Sequence, residues 1–366
     1  MSDTDRTVRP AAANEDALLA AAKHGDESAF TKIADTYRSE LNAHCYRMLG
    51  STHDAEDALQ EAMLRAWKGL PRFEGRSSLR SWLYRIATNT CLDSIGRRPK
   101  RVLPIDYGPA ADPHDGPGKP LTESVWIEPL PDDWLEVDED AAPMGPEARY
   151  EQRESVELAF TAALQHLPAK QRAALILFEV LGFSAKEVAE TLETSVASVN
   201  SALQRARAAV EERTPELSQQ ATLRALGEDG LRDLVDGYVE AWERGDVEAI
   251  VGMLTEDAVV TMPPMASWYR GPAAIRVFLR DFAFAGRWDS GRDEFEKGGR
   301  TVQLVPIRAN GQIGFAAYNL DPESGVLKPY ALQVLTLSET GIAEITGFVT
   351  TGFTADFGLP ESMPAT

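Results

Sequence analysis

The stretch "FSAKEVAETLETSVASVNSALQRARAAVEE", residues 183–212, decides the fold in the middle of the chain. Ser184 and Glu187 stand three apart ahead of an apolar run, the spacing at which a hydroxyl and a carboxylate cap a helix start reciprocally. Val188, Ala189 and Leu192 then recur on one side of a short helix, "ETS" at 193–195 makes a tight turn, and Ser195 caps a second helix. On that second helix Val199, Ala202, Leu203, Ala206 and Val210 face inward. Ser198, Asn200, Ser201, Gln204, Arg205 and Arg207 are left outside, and such side chains bond base edges and phosphates in a major groove. The pattern is that of a helix-turn-helix, although the same polar face would suit an ordinary bundle helix. The preceding "PAKQRAALILFEVLG" places Pro168 for a first helical turn and Gly182 for a C-cap, so a third helix completes a trihelical core.

Working outward, a chain of 366 residues with 43% hydrophobic residues is too long for one ordinary core and too apolar to be mostly disordered. Its formal charge of −20 argues against a general nucleic-acid coat. The acid is segregated: from Tyr107 to Ala141 Lys119 is the one Lys or Arg, whereas "RRPKR" at 97–101 and "QRAR" at 204–207 are local basic clusters. No run approaches the roughly 20 apolar residues that span a bilayer, and the first residues lack a basic start with an apolar core, so a cytoplasmic protein without membrane contact is expected. Cys45 and Cys91 lie far apart in sequence without CxxC or His neighbours, and read as buried reduced thiols.

The N-terminal block is helical almost throughout. In "DAEDALQEAMLRAWKGL" (54–70) the apolar residues form one stripe, Asp54 can cap the start and Pro71 stops it. In "SSLRSWLYRIATNTCLDSIG" (77–96) Leu79, Trp82, Leu83, Ile86 and Cys91 point inward. Residues 102–145 are rich in Pro, Gly and Asp and read as a linker, yet Trp126, Ile127, Leu130, Trp134 and Leu135 form an apolar cluster that a free tether has no use for. The linker should therefore dock. Helices resume from about Pro146 to Arg213, 214–230 reads as a second short linker, and from Leu231 the pattern becomes helix, helix, strand, helix and then four strands divided by "NGQ", "DPESG" and "ETG". The expected division is a flexible N-terminus (1–14), helical domains at 15–101 and 146–213, an α+β domain with a mostly antiparallel sheet at 231–353, and a tail (354–366).

The residues 168–208 resemble region four of the extracytoplasmic-function sigma factors, and "HDAEDALQEAMLRAWKGLPRFEGRSSLRSWLYRIATNTCLDSIGRRPKR" (53–101) resembles their region two. The resemblance implies two all-α sigma domains that bind core RNA polymerase and promoter DNA, both double-stranded and melted. Carried onto this chain, it implies polymerase contacts at Glu56, Asp57, Gln60, Glu61 and Arg65. It implies contacts to the downstream element and melted strand at Arg76, Arg80, Trp82, Arg85, Asn89, Arg97, Arg98 and Arg101, where cations interleave with aromatics. Upstream-element contacts would come from Ser195, Ser198, Asn200, Ser201, Gln204, Arg205 and Arg207. There is no nucleotide-binding fingerprint, no HExxH and no His cluster, so no cofactor, metal or catalytic residue is expected.

The C-terminal part, on "LVDGYVEAWERGDVEAIVGMLTEDAVVTMPP" (234–264) and "WYRGPAAIRVFL" (268–279), resembles the SnoaL-like polyketide cyclases of the nuclear-transport-factor-like cone fold. That resemblance implies a cavity able to take a small-molecule ligand, with Trp242, Met262, Trp268, Tyr269, Gln333 and Phe348 as pocket candidates. Strand positions Leu304, Phe315, Ala317, Gln333, Leu335 and Phe348 read as inward, and Asp257, Arg280, Asp281 and Glu344 are poorly placed for acid–base chemistry. The expectation is a regulatory domain, not an enzyme, that packs against the two sigma domains with the linker residues Trp126, Ile127, Leu130 and Trp134 as part of the contact. The competing readings are a one-component helix-turn-helix regulator with a ligand sensor, which leaves 54–101 unexplained, and a bifunctional protein whose cone domain is catalytic.

Overall fold

The structure, a computed structural model, describes residues 10–121, 126–135, 152–215, 217–284 and 302–365, and the expected helix start near Pro146 lies outside these. The chain forms two compact units, one of 1–98, 134–152 and 163–212, the other of 99–133, 153–162 and 213–366. Both are discontinuous in sequence.

The first unit is all helical. It opens with α1 (Pro10–Lys23), α2 (Glu27–Leu49), α3 (Thr52–Gly69) and α4 (Leu79–Ile95). Asp26, Ser51 and Ser78 cap the last three by accepting the amides of Ala29, Asp54 and Ser81. Ser51 thus holds the position expected of Asp54, whose carboxylate is buried and ion-paired with Arg98. Gly50 adopts φ 70°, the left-handed conformation that lets α2 stop and α3 start at once. Leu41, Tyr46, Met48 and Tyr84 are fully buried at the centre of this module. The second module holds the end of α6 (Leu158–His166), α7 (Ala169–Leu175) continuing as a π-helical turn (Ile176–Val180), α8 (Ala185–Thr191) and α9 (Val196–Glu211). The Ser184–Glu187 capping box forms as read from the sequence.

The second unit is built on a sheet of order β2-β1-β6-β5-β4-β3, from β1 (Leu254–Thr261), β2 (Trp268–Arg270), β3 (Val302–Ala309), β4 (Gln312–Asp321), β5 (Val326–Ser338) and β6 (Gly341–Phe348). All pairings on this path are antiparallel except β1 with β6, and a short β7 (Met363–Pro364) adds to β5. One face packs on α10 (Gln219–Arg244), α11 (Val247–Gly252) and α12 (Pro272–Phe278), around Tyr238, Trp242, Phe278 and Phe315. The expected short linker at 214–230 is largely helical: α10 starts at Gln219, capped by Ser218, and passes a kink at Gly227 with φ 67°. The other face of the sheet is covered by the chain itself. Leu103, Ile127, Leu158 and Ala162 pack there on Ala316, Tyr318, Leu332, Val334 and Phe348. The expected linker is thus part of the domain's core, with a short helix α5 (Pro104–Tyr107) in it.

Candidate DNA-reading surfaces and a buried hairpin clamp

In the helix-turn-helix, Ser198, Asn200, Ser201, Gln204 and Arg205 are exposed along α9 while Val199, Leu203, Ala206 and Val210 are buried. The residues expected to read DNA therefore form one exposed strip. Ser195 is engaged in starting the helix, accepting the Ser198 amide at 3.2 Å. Arg207 is tied to Glu179, with Nε at 2.7 Å, and its guanidinium sits 5.8 Å from the Phe178 ring.

On α3, Glu56, Asp57, Gln60, Glu61 and Arg65 are exposed together, with Leu64 at 53% exposure among them. An exposed leucine ringed by acids suits a protein partner better than phosphate. Arg65 bonds Glu61 at 2.8 Å and Asp93 at 2.9 Å.

The cations expected to hold melted DNA do not form one surface. Arg76, Arg85 and Arg97 are exposed and Asn89 is half-buried. Arg98 is drawn to the N-terminal turn of α3 by Asp54 and Asp57. Arg101 departs from expectation altogether: it is 6% exposed and donates to the Trp126 carbonyl at 2.7 Å and to Glu128 at 3.2 Å within the second unit. Trp82 is likewise a core residue, packed on Phe73 with ring centroids 5.0 Å apart.

Arg80 joins the two helical modules. Its Nε meets Glu40 at 3.2 Å, its Nη1 meets the Leu181 carbonyl at 3.5 Å, and its guanidinium lies 4.9 and 5.0 Å from the Tyr84 and Phe183 rings. A second pin runs from Arg172 on α7, which donates to the Met48 carbonyl at the end of α2 and to Gln165, whose own amide reaches the Arg47 carbonyl at 3.2 Å. Burial lowers the Arg172 guanidinium to about 10, which still leaves it cationic at neutral pH. Beside these contacts an open groove of about 690 Å³ has Arg72, Arg76 and Arg85 on one wall and Glu187, Glu190 and Glu193 on the other. The acidic wall belongs to the helix-turn-helix.

In the second unit the cavity inside the cone is about 40 Å³, against roughly 10–15 Å³ for one water on this measure. Trp242, Met262 and Gln333 line it as expected, together with Tyr330 and Ile345. Three pocket candidates are elsewhere. Trp268 donates Nε1 to the Gly108 carbonyl at 2.8 Å, Phe348 lies in the cluster on the opposite face of the sheet, and Tyr269 is stacked on Phe278 with centroids 4.8 Å apart. Among the described residues no carboxylate or imidazole lines the cavity, and Asp257, Asp281 and Glu344 lie outside it. No group of three or more His, Cys, Asp or Glu able to hold a metal occurs among the described residues.

A dense polar site lies at the turn between β3 and β4. Asn310 and Gly311, with φ of 57° and 70°, make a two-residue hairpin loop, the conformation for which Asn-Gly is suited. Such loops normally sit in water. Here Asn310 and Gln312 are at most 1% exposed. Asn310 accepts the Leu130 amide at 2.9 Å through Oδ1, donates its own amide to the Leu130 carbonyl at 2.8 Å, and donates Nδ2 to the Val156 carbonyl at 2.8 Å. The Gly311 amide meets Asp132 at 2.7 Å, and the Gly311 carbonyl accepts from Gln220 at 2.5 Å. Gln312 accepts the Leu158 amide at 2.9 Å and donates to the Leu335 carbonyl at 3.0 Å. Gly311 also needs its lack of a side chain, because a Cβ there would stand 2.9 Å from the Arg153 carbonyl. The turn thus grips the end of the linker and the segment leading into α6. Beside it Glu157 accepts the Gln220 amide at 3.1 Å at the start of α10, and burial raises its carboxyl to about 7. Burial also raises Asp132.

The Sigma-70 region 2 family matches residues 33–101, the Sigma-70 region 4 family residues 157–210, and the SnoaL-like domain family residues 235–310. The ECF RNA polymerase sigma factor SigG of Mycobacterium tuberculosis is 41% identical over 342 residues, covering 93% of this chain and 86% of its own. The chain is an ECF RNA polymerase sigma factor with a fused SnoaL-like domain. SigW of Bacillus subtilis is 30% identical over 197 residues, covering 53% of this sigma factor and 94% of its own length. The crystal structure of the Mycobacterium tuberculosis extracytoplasmic function sigma factor SigJ matches with a TM-score of 0.56 at 20% identity, over 90% of this chain and all of that one. It shows the shared fold.

Within this sigma factor, the residues expected to read DNA are exposed along α9 and those expected to meet polymerase are exposed along α3. Sequence reasoning placed Trp126, Ile127 and Leu130 in a docked linker, and all three are buried in the second unit. Trp134 falls in the first unit, where its carbonyl accepts the Ser39 hydroxyl at 2.6 Å. The clamp residues Asp132, Asn310 and Gln312 were missed. "NGQ" was read as a turn signal, and the local pattern carries no sign that a turn will be buried. No helix among the described residues is long and apolar enough to cross a membrane.

Proposed function

We propose that this sigma factor binds core RNA polymerase through the exposed face of α3 and reads promoter DNA through α9 and the region-two arginines, working in the cytoplasm. Its fused SnoaL-like domain acts as a built-in controller and not as an enzyme. The observation that carries the controller reading is the buried hairpin clamp, which grips the chain at two points leading into region four, Leu130–Asp132 and Val156–Leu158. A sigma factor must present regions two and four to different parts of a promoter, and the linker between them governs that freedom. The direct contacts of Arg80 and Arg172 support a restrained state, since Arg80 cannot meet DNA while it holds Leu181 and Phe183. Against catalysis stand a cavity with room for only a few waters and the absence of an acid–base group on its described walls.

The test is promoter-dependent transcription by core polymerase with the full chain and with Asn310→Ala, alongside complex formation on a sizing column. A full chain that makes no stoichiometric complex with core polymerase removes the sigma reading for this protein. Equal transcription by the two proteins, with the linker shown by hydrogen exchange to be released in the variant, removes the controller reading.

A further inference from the structure

Asn310 is the one asparagine of the chain that is followed by glycine. In that dipeptide the backbone nitrogen of the glycine can attack the asparagine's side-chain amide, since a glycine has no Cβ to hinder the approach. The five-membered ring closes only if the Gly311 nitrogen lies on the same side of the Asn310 Cα–C bond as Cβ. Asn310 has φ 57°, which a residue with a side chain adopts together with ψ of about +30 to +60°. In that conformation the next nitrogen points away from Cβ, so ring closure needs the Asn310–Gly311 peptide to turn over. The clamp opposes that turn from several sides. Asp132 holds the Gly311 amide at 2.7 Å and Gln220 holds the Gly311 carbonyl. The Leu130 amide and the Val156 carbonyl hold the Asn310 side chain at 2.9 and 2.8 Å. Asn310 is fully buried, so water is kept out as well, and all these partners lie in the second unit.

We infer that Asn310–Gly311 is a self-modifying site: the shut clamp holds it unreactive, and opening lets it convert to isoaspartate or aspartate, after which the clamp stays open. The only co-reactant is water. The Gly311 nitrogen loses its proton and bonds to the Asn310 side-chain carbonyl carbon, the bond from that carbon to Nδ2 breaks, and ammonia leaves with the proton. Water then adds to either carbonyl of the cyclic imide and opens one of its C–N bonds. The net change is one water consumed and one ammonia released, with no oxidation or reduction. Both products lose the Nδ2 donor to the Val156 carbonyl and bring a second carboxylate to the site of Asp132. Isoaspartate also adds the Cβ carbon to the main chain, which the two-residue loop between Ala309 and Gln312 cannot absorb in this register. Loss of ammonia makes the step one-way.

The experiment incubates the full chain at neutral pH and maps its peptides by mass at intervals, scoring replacement of NH2 by OH at 310 and labelling isoaspartate with an isoaspartyl methyltransferase. Wild type is followed both folded and unfolded in urea. Asp132→Ala and Gln312→Ala each remove one anchor of the turn and keep the Asn-Gly pair. Modification should be at least about a hundredfold slower in the folded chain than in urea, because several buried hydrogen bonds, each worth about a factor of five, must break together. Each variant should react at least about fivefold faster than wild type. Should a variant fail to fold, wild type in urea below its unfolding transition carries the test: the rate should rise in step with loss of amide protection at 126–133 and 156–162. A folded chain that reacts as fast as the unfolded one, or a rate that neither the variants nor low urea move, overturns the guarding. Slowing in Asp132→Ala overturns it too, since Asp132 would then be acting as a base. Purified modified chain that keeps its protection in both segments overturns the lasting opening. None of these readouts uses transcription, so failure of the controller reading is told apart from failure of this one.

Discussion

Replacing Asn310 by alanine removes the centre of the clamp while leaving the cone's apolar core intact. The Leu130 amide and the Val156 carbonyl each lose a partner within 3 Å in a site closed to water. A buried polar group left without a partner costs about 1–3 kcal/mol. Alanine at φ 57° adds about 1 kcal/mol, because its Cβ crowds the following carbonyl in the left-handed region. With two such groups the sum is about 5 kcal/mol. For a unit of this size that lowers the melting temperature by about 10–20 °C. Hydrogen exchange read by mass spectrometry should show the amides of 126–133 and 156–162 losing protection first. Asn310→Gly keeps the turn and should recover about 1 kcal/mol, and Asn310→Asp keeps the acceptor for Leu130 and should fall between. A melting temperature within about 2 °C of wild type, with unchanged exchange in both segments, would refute the reasoning.

Other perturbations separate the units. Burial raises Glu157 from 4.5 to about 7, so the folded state holds its proton more tightly. The corresponding stability is present below pH 4.5 and lost as pH rises through 7, by up to about 3 kcal/mol. Glu157→Gln should flatten that slope in a pH series of melting curves. His44, bonded to Thr88 at 2.9 Å, behaves oppositely: burial lowers it from 6.5 to about 3, so the unfolded state takes the proton first. Region two should lose about 2 kcal/mol between pH 7 and 5, and His44→Gln should abolish the loss in urea titrations at the two pH values. Gly116, at φ 75° in the linker, leaves no room for a side chain, since a Cβ would stand 2.7 Å from Phe282. Gly116→Ala should cost about 2–3 kcal/mol, against about 1 for Gly118→Ala, where the same conformation meets only the Ser267 hydroxyl at 3.6 Å. Equal costs at the two glycines in chemical denaturation would show that the Phe282 contact is unimportant.

The parts of this protein legible in its sequence are those set by local rules. The capping box at Ser184, the stripe on α9, the four C-terminal strands and the Asn-Gly turn all follow from periodicity and cap or turn chemistry. The docked linker was legible for a different reason: two tryptophans in an acidic, proline-rich run imply burial even when their partner is unknown. Long-range packing was not legible. Nothing in "RRPKR" shows that Arg101 will close on Trp126 while Arg98 pairs with Asp54, because both outcomes depend on where distant carboxylates and carbonyls arrive. The pocket candidates divided on strand register, since a one-residue difference moves a side chain to the other face. Phe348 went to the outer face and Gln333 to the inner.

The sheet's outer face has a consequence of its own. Tyr318, Leu332, Val334 and Phe348 are at most 4% exposed because Leu103, Ile127 and Leu158 lie over them. Stripped of that cover, they would form an apolar patch on the order of several hundred Å², larger than monomeric proteins ordinarily leave bare. Letting go of the linker is therefore an exchange of one covering for another. A second copy of the chain, or another protein with a complementary face, would have to take the vacated place, so that on the proposed controller reading release of the linker would depend on concentration and on company.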